Sequence, residues 1–161
     1  MTENDYSTYY LFPSTLYVTK EPCLVTTILG SCVAVCLWDQ ELKYGGINHY
    51  MLPLWNGKGL ASPKYGNIAI QKLFDRMLDM GCSKKNIKAK VFGGADILQT
   101  SSFQFNIGTR NIEIANEYLK DLNLFVAGAS VGGLNGRKIL FDTYKGIVIQ
   151  KYIGKNTDQQ K

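Results

Sequence analysis

The stretch Ser31-Cys32-Val33-Ala34-Val35-Cys36-Leu37-Trp38, followed by Asp39-Gln40-Glu41-Leu42-Lys43 and then by Gly46-Ile47-Asn48-His49-Tyr50-Met51-Leu52, decides how this chain is read. Both flanks are rich in β-branched and aromatic residues, as strands are. The connector is short enough for a hairpin, whereas parallel pairing needs a crossover of about a dozen residues or more. With the hairpin centred between Gln40 and Glu41, Cys32 stands opposite His49. Directly opposed residues share a face, with Cβ atoms about 4.5 to 5.5 Å apart. A thiol and an imidazole so placed can approach hydrogen-bonding distance, and a slip of one residue would separate them onto opposite faces.

Working outward, Leu16 to Lys20 and Leu24 to Leu29 read as strands before the hairpin. Ser62-Pro63 offers a cap and a first-turn proline, and Ile70, Leu73, Phe74, Met77 and Leu78 then recur at helical spacing, with Gly81 as the stop. A strand over Lys88 to Phe92 ends at Gly93-Gly94. A second helix is expected from Gly108 to Arg110 through Leu122, with Ile112, Ala115, Leu119 and Leu122 inward. Strands over Leu124 to Ser130, Lys138 to Asp142 and Ile147 to Ile153 follow. Strands cluster before the first helix and do not alternate with helices, so the spacing predicts an α+β sheet architecture over a doubly wound parallel one.

The chain has 161 residues, of which 45% are hydrophobic, enough for one domain with a real core about Leu16 to Ile153 and a polar tail from Gly154 to Lys161. Its charge of +5 comes from dispersed lysines apart from Lys84, Lys85, Lys88 and Lys90. No nucleic-acid motif accompanies them, so that cluster reads as a solvated surface. No apolar run reaches the roughly 20 residues of a membrane span, and Met1 to Tyr10 is no secretory signal. These features predict a cytoplasmic protein with reduced thiols and no membrane insertion. With a single histidine and Cys32 separated from Cys36 by three residues, no metal site is expected.

A free thiol is mostly protonated at neutral pH, and an adjacent imidazole can take the proton and leave the nucleophilic thiolate. Gly30 and Ser31 immediately precede Cys32, and glycine allows unusual backbone angles and close approach, so amide N–H groups there can face a developing oxyanion. The competing reading is a packed core thiol, because Ala34 and Cys36 alternate with Cys32 on one face and cysteine is among the most buried residues. Cys23, Cys36 and Cys82 have no histidine placed for them and read as structural.

Several stretches together resemble the CheD family of chemoreceptor glutamine deamidases: Thr26-Thr27-Ile28-Leu29-Gly30-Ser31-Cys32-Val33-Ala34-Val35-Cys36, Asn48-His49-Tyr50-Met51-Leu52-Pro53, Lys64-Tyr65-Gly66, Gly93-Gly94-Ala95, Asn106-Ile107-Gly108-Thr109-Arg110-Asn111, and Gly132-Gly133 through Gly136-Arg137. The resemblance implies hydrolysis of receptor glutamine amides to glutamate with release of ammonia. Cys32 would be the nucleophile, His49 the general acid/base and Thr26 the residue that orients the imidazole. Thr27 has the same chemistry, and strand alternation admits only one of the two to the dyad's face. Gly93, Gly94, Gly132 and Gly133 would let loops pass close to the thiol, and Asn106 would cap the second helix or help admit the substrate. Arg110 and Arg137 would meet an acidic receptor surface or form structural salt bridges.

No cofactor is implied. The fold implied is that of the cytotoxic necrotising factor catalytic domain, stacked mixed β-sheets flanked by helices. The partners implied are the cytoplasmic helices of methyl-accepting chemoreceptors and a CheC-type phosphatase. An adaptor role dominated by that phosphatase, receptor methylester hydrolysis and transglutamination are the alternatives.

Overall fold

The structure, a computed structural model, describes residues 5–97 and 106–154. The expectation of a polar tail falls on 155–161, outside the described residues. Nine strands and two α-helices are present among the described residues: β1 (Ser7–Tyr10), β2 (Leu16–Thr19), β3 (Cys23–Leu29), β4 (Val33–Asp39), β5 (Tyr44–Asn48), α1 (Gly66–Asp79), β6 (Ile87–Gly93), α2 (Ile107–Asp121), β7 (Phe125–Val131), β8 (Gly136–Asp142) and β9 (Val148–Ile153). The strands form a four-stranded sheet in the order β1-β3-β8-β9 and a five-stranded sheet in the order β2-β5-β4-β6-β7. β1 runs parallel to β3 and β7 parallel to β6, while all other pairs are antiparallel, so both sheets are mixed and the α+β expectation holds. None of the described helices is long and apolar enough to cross a membrane.

Alternation along β4 divides the core in two. Val33, Val35 and Leu37 pack with Ile70, Leu73, Met77, Ala115 and Leu119 of the helices. On the opposite face Ala34 and Cys36 pack with Val25 and Leu29 of β3 and with Ile139 and Phe141 of β8. The order of layers is therefore helices, five-stranded sheet, four-stranded sheet. Nearly every residue of β4 is buried because both of its faces are covered.

Four sequence expectations need correction. β1 lies ahead of the predicted core; all four of its residues are exposed, so they carry no burial periodicity to read. α1 begins at Gly66, not at Ser62-Pro63, because Tyr65 is still extended and bridges Leu52. Within α1, Leu78 is exposed and Ala69 takes a place in the buried stripe. The hairpin is centred two positions from the expected pairing sum: Asp39 pairs with Tyr44 and Cys36 with Ile47. Asp39 causes this, since its Oδ1 accepts from Glu41 and Leu42 N–H at 2.9 Å each and its carbonyl accepts from Lys43 N–H at 2.9 Å, leaving four residues in the turn. A shift by two preserves the face. His49 thus stands opposite Ala34, and Cys32 lies diagonal to it on the same inter-sheet face.

Gly46 of β5 marks where α1 approaches closest. A Cβ there would come within 2.8 Å of Leu73 Cδ1 and Val18 Cγ1 and 3.1 Å of Met77 Sδ. Gly46→Ala is expected to destabilise the protein by about 1 to 3 kcal/mol through overpacking. Gly128→Ala, whose Cβ meets only the Lys90 stem at 3.7 Å or more, is expected to stay within about 0.5 kcal/mol of the parent. Urea denaturation of the two variants checks both.

Candidate active site

Cys32 is the last of the three residues between the two sheets' strands, after β3 ends at Leu29 and before β4 begins at Val33. His49 directly follows β5, and its main chain is gripped by the segment after β1: His49 N–H donates to the Thr15 carbonyl at 3.1 Å, and Ser14 N–H donates to the His49 carbonyl at 2.8 Å. The neighbours of the pair are joined directly. Val33 and Tyr50 exchange both backbone hydrogen bonds, at 3.1 and 3.0 Å.

The imidazole is buried, and its Nδ1 lies 2.7 Å from the hydroxyl oxygen of Thr27. This corrects the assignment of Thr26. In β3 the residues Cys23, Val25, Thr27 and Leu29 turn inward while Thr26 turns to the other side of the sheet. Thr27 also donates its single hydroxyl proton to the Leu11 carbonyl at 2.7 Å. A carbonyl cannot donate, so Thr27 receives the second hydrogen bond from His49 Nδ1–H. The tautomer follows: Nε2 carries the lone pair, and among the described residues nothing hydrogen-bonds to it.

Burial sets the charge state. It lowers the His49 pKa from 6.5 to about 4, so the imidazole is neutral at pH 7. Burial also raises the Cys32 thiol, against a smaller pull from its own backbone N–H. At rest both groups are neutral, a thiol and a base on one inter-sheet face with no hydrogen bond to His49 Nε2 among the described residues.

Loops close in on this point. Gly93 and Gly94 both adopt positive φ, 109° and 72°, and a Cβ on Gly93 would collide with the Cys32 carbonyl. Gly94 N–H donates to that carbonyl at 2.8 Å and Ala95 N–H to the Gly30 carbonyl at 3.0 Å. Gly132 and Gly133 tie the next loop to the same place, through Gly132 N–H to the Gly93 carbonyl at 2.9 Å and Asp96 N–H to the Gly133 carbonyl at 2.8 Å. Gly30 itself is not in the left-handed region. What its missing Cβ provides is room for the Ile97 side chain.

Asn106 takes the first of the two roles expected of it, whereas Arg137 departs from expectation. Asn106 is the N-cap of α2, its side-chain oxygen accepting from Thr109 N–H at 3.0 Å. Arg137 is buried and does not present a surface to a receptor. Its guanidinium donates to the Ser130 and Gly132 carbonyls and lies 5.2 Å from the Tyr152 ring centroid, fixing the chain between β7 and β8. Asn111, quoted above only within a longer motif, is fully buried at the site and donates to the Ser31 and Met51 carbonyls at 2.9 and 3.1 Å. All four cysteines are free thiols, and no group of three or more His, Cys, Asp or Glu among the described residues could hold a metal ion.

The family model described as CheD chemotactic sensory transduction matches residues 51–152. A protein of Trichlorobacter lovleyi named probable chemoreceptor glutamine deamidase CheD is 49% identical, with 100% of both chains covered. The chain belongs to the CheD family. A Sulfurimonas denitrificans protein of the same name is 44% identical over 94% of this chain and 97% of its own, and one from Rhodospirillum rubrum is 41% identical over 89% and 81%. These full-length likenesses extend over the Cys32 and His49 segments of this CheD-family chain, ahead of the span matched by the family model.

Because folding depresses the His49 pKa, the unfolded chain binds more protons between pH 6.5 and about 4. The contribution of a neutral buried His49 to stability is therefore full above pH 6.5 and is lost progressively as pH falls toward 4. In His49→Asn, whose amide N–H can still reach Thr27, urea unfolding measured across this range is expected to show a flatter pH dependence than the parent.

Proposed function

We propose that this chain is a cysteine-dependent protein-glutamine deamidase that converts glutamine side chains of chemoreceptors to glutamate. The observation that carries the reading is the Thr27 to His49 hydrogen bond, which leaves a bare Nε2 on the face shared with Cys32. The names of the relatives supply the substrate class. The reading includes action in the cytoplasm on receptor helices, and kinship of the sheet-on-sheet arrangement with the cytotoxic necrotising factor catalytic domain.

Chemically, His49 Nε2 takes the Cys32 proton as the sulfur attacks the carboxamide carbon. The C=O bond opens to an oxyanion facing the Cys32 N–H. The C–N bond then breaks, Nε2–H protonates the departing nitrogen and ammonia leaves a thioester. Water attacks that thioester with His49 as base, the C–S bond breaks, and the thiol regains its proton as glutamate is released. Atoms balance as amide plus water giving carboxylate plus ammonium. No cofactor is required. The proton is returned from the same nitrogen that took it, so a fixed tautomer serves both halves.

Incubation with a cytoplasmic receptor fragment is expected to give amide-to-acid mass changes in selected peptides together with released ammonia. Cys32→Ala abolishes both. Unchanged masses across the cognate receptors would overturn the reading, and amine cross-links in place of acid would reassign it to transglutamination. Thr27→Val is expected to lower kcat by up to about 100-fold, part of what a general acid/base supplies, while Thr26→Val leaves it near the parent value. The acidic limb of kcat/KM is expected at about pH 4, where His49 gains its proton.

A further inference from the structure

The structure assigns Asn111 as a positioning residue that sets the spacing of Cys32 and His49. This rests on the dyad reading above and goes beyond it. The antiparallel pairing of β4 with the segment after β5 ends at the Val33 and Tyr50 bridge. Beyond the bridge, Leu52 leaves to pair with Tyr65, and two carbonyls, Ser31 and Met51, are held at one point. Carbonyls cannot bond to each other. The Asn111 amide nitrogen has two N–H groups and gives both, at 2.9 and 3.1 Å. It does so from a fully buried position in α2.

The joined positions are the residue before Cys32 and the second residue after His49. Together with the Val33 and Tyr50 bridge, this places a cross-link on each side of Cys32 and two in succession directly after His49. Tyr50 closes the frame, its hydroxyl donating to the Asn111 carbonyl at 2.6 Å. α2 is itself fixed against the glycine loop, where a Cβ on Gly108 would collide with the Gly94 and Ala95 carbonyls. The Asn111 side-chain oxygen has no partner among the described residues. A buried amide that leaves its acceptor unsatisfied in order to donate twice costs stability relative to an apolar core residue, which singles out the double donation as its role. The chemistry needs that geometry, because a displacement of about 1 Å can cost about 100-fold in rate.

The test reads Cys32 alkylation by iodoacetamide, followed at the Cys32 peptide by mass spectrometry across pH, which needs no glutamine substrate. Asn111→Leu keeps the volume and removes both donors. It is expected to bring the rate and pH profile to those of His49→Asn, and to add nothing in the Asn111→Leu/His49→Asn double variant. On a receptor fragment, Asn111→Leu is expected to lose about 100-fold in kcat with KM little changed. Tyr50→Phe, which keeps the ring and frees the Asn111 carbonyl, is expected to shift the profile in the same direction and less far, and it carries the test should Asn111→Leu not fold. A parent-like profile in the folded Asn111 or Tyr50 variant overturns the proposal while leaving the dyad intact. An undiminished effect of Asn111→Leu in the His49→Asn background overturns it as well. If His49→Asn alone leaves the profile unchanged, the dyad fails and the proposal with it.

Discussion

The site depends on one hydroxyl proton. Thr27 has one hydrogen to give and gives it to the Leu11 carbonyl; everything about the imidazole follows from that direction. Leu11 can accept only because its own N–H is anchored to the Thr26 carbonyl at 2.9 Å, which continues the parallel pairing of β1 with β3. Thus the four-stranded sheet supplies the acceptor and the threonine, and the five-stranded sheet supplies the histidine. The tautomer of His49 is a property of the stacking of two sheets. A slip of either sheet by one residue would turn Thr27 away and leave buried polar groups without partners, at about 1 to 3 kcal/mol each.

Burial both enables the dyad and limits it. A desolvated imidazole resists protonation and a desolvated thiol resists ionisation, so the ion pair found in some cysteine enzymes is disfavoured at rest. In the proposed reaction, charge then arises only when thiolate, imidazolium and substrate can neutralise one another at close range. The main chain around the thiol is already fixed, the Cys32 carbonyl being held back by Gly94 N–H.

The hairpin, the amphipathic stripes of both helices and the placement of Cys32 and His49 on one face were all legible in the sequence, because each rests on a period of two or of about 3.6 residues. The register was not, because it was set by the Asp39 side chain capping the turn, and no periodicity encodes a two-residue shift that keeps every face. Thr26 and Thr27 differ only in parity, and the count from Cys23 through Leu29 that separates them needs a buried partner sheet to fix which parity is inside. β1 gave no signal because its side chains are exposed and its pairing is through the backbone. Arg137 read as a surface cation because arginine usually is one; its burial becomes intelligible only with the carbonyls of the chain between β7 and β8 gathered around it.

Cys36 shows why the position of the thiol matters more than its presence. It lies on the same inter-sheet face, four residues further along, and complete burial inside a continuous ladder pushes its pKa far above the ordinary thiol range. It has a register partner on each side, Ile47 and Lys90. Cys32 shares the face but lies one residue before the ladder begins, where β4 has not yet started and the partner segment has departed toward Tyr65. Only there can a thiol share the face of His49 without being enclosed in the ladder. The proposed nucleophile lies where pairing stops, and the Gly93-Gly94 loop together with Asn111 of α2 provides by other means the rigidity that the missing rungs would have given.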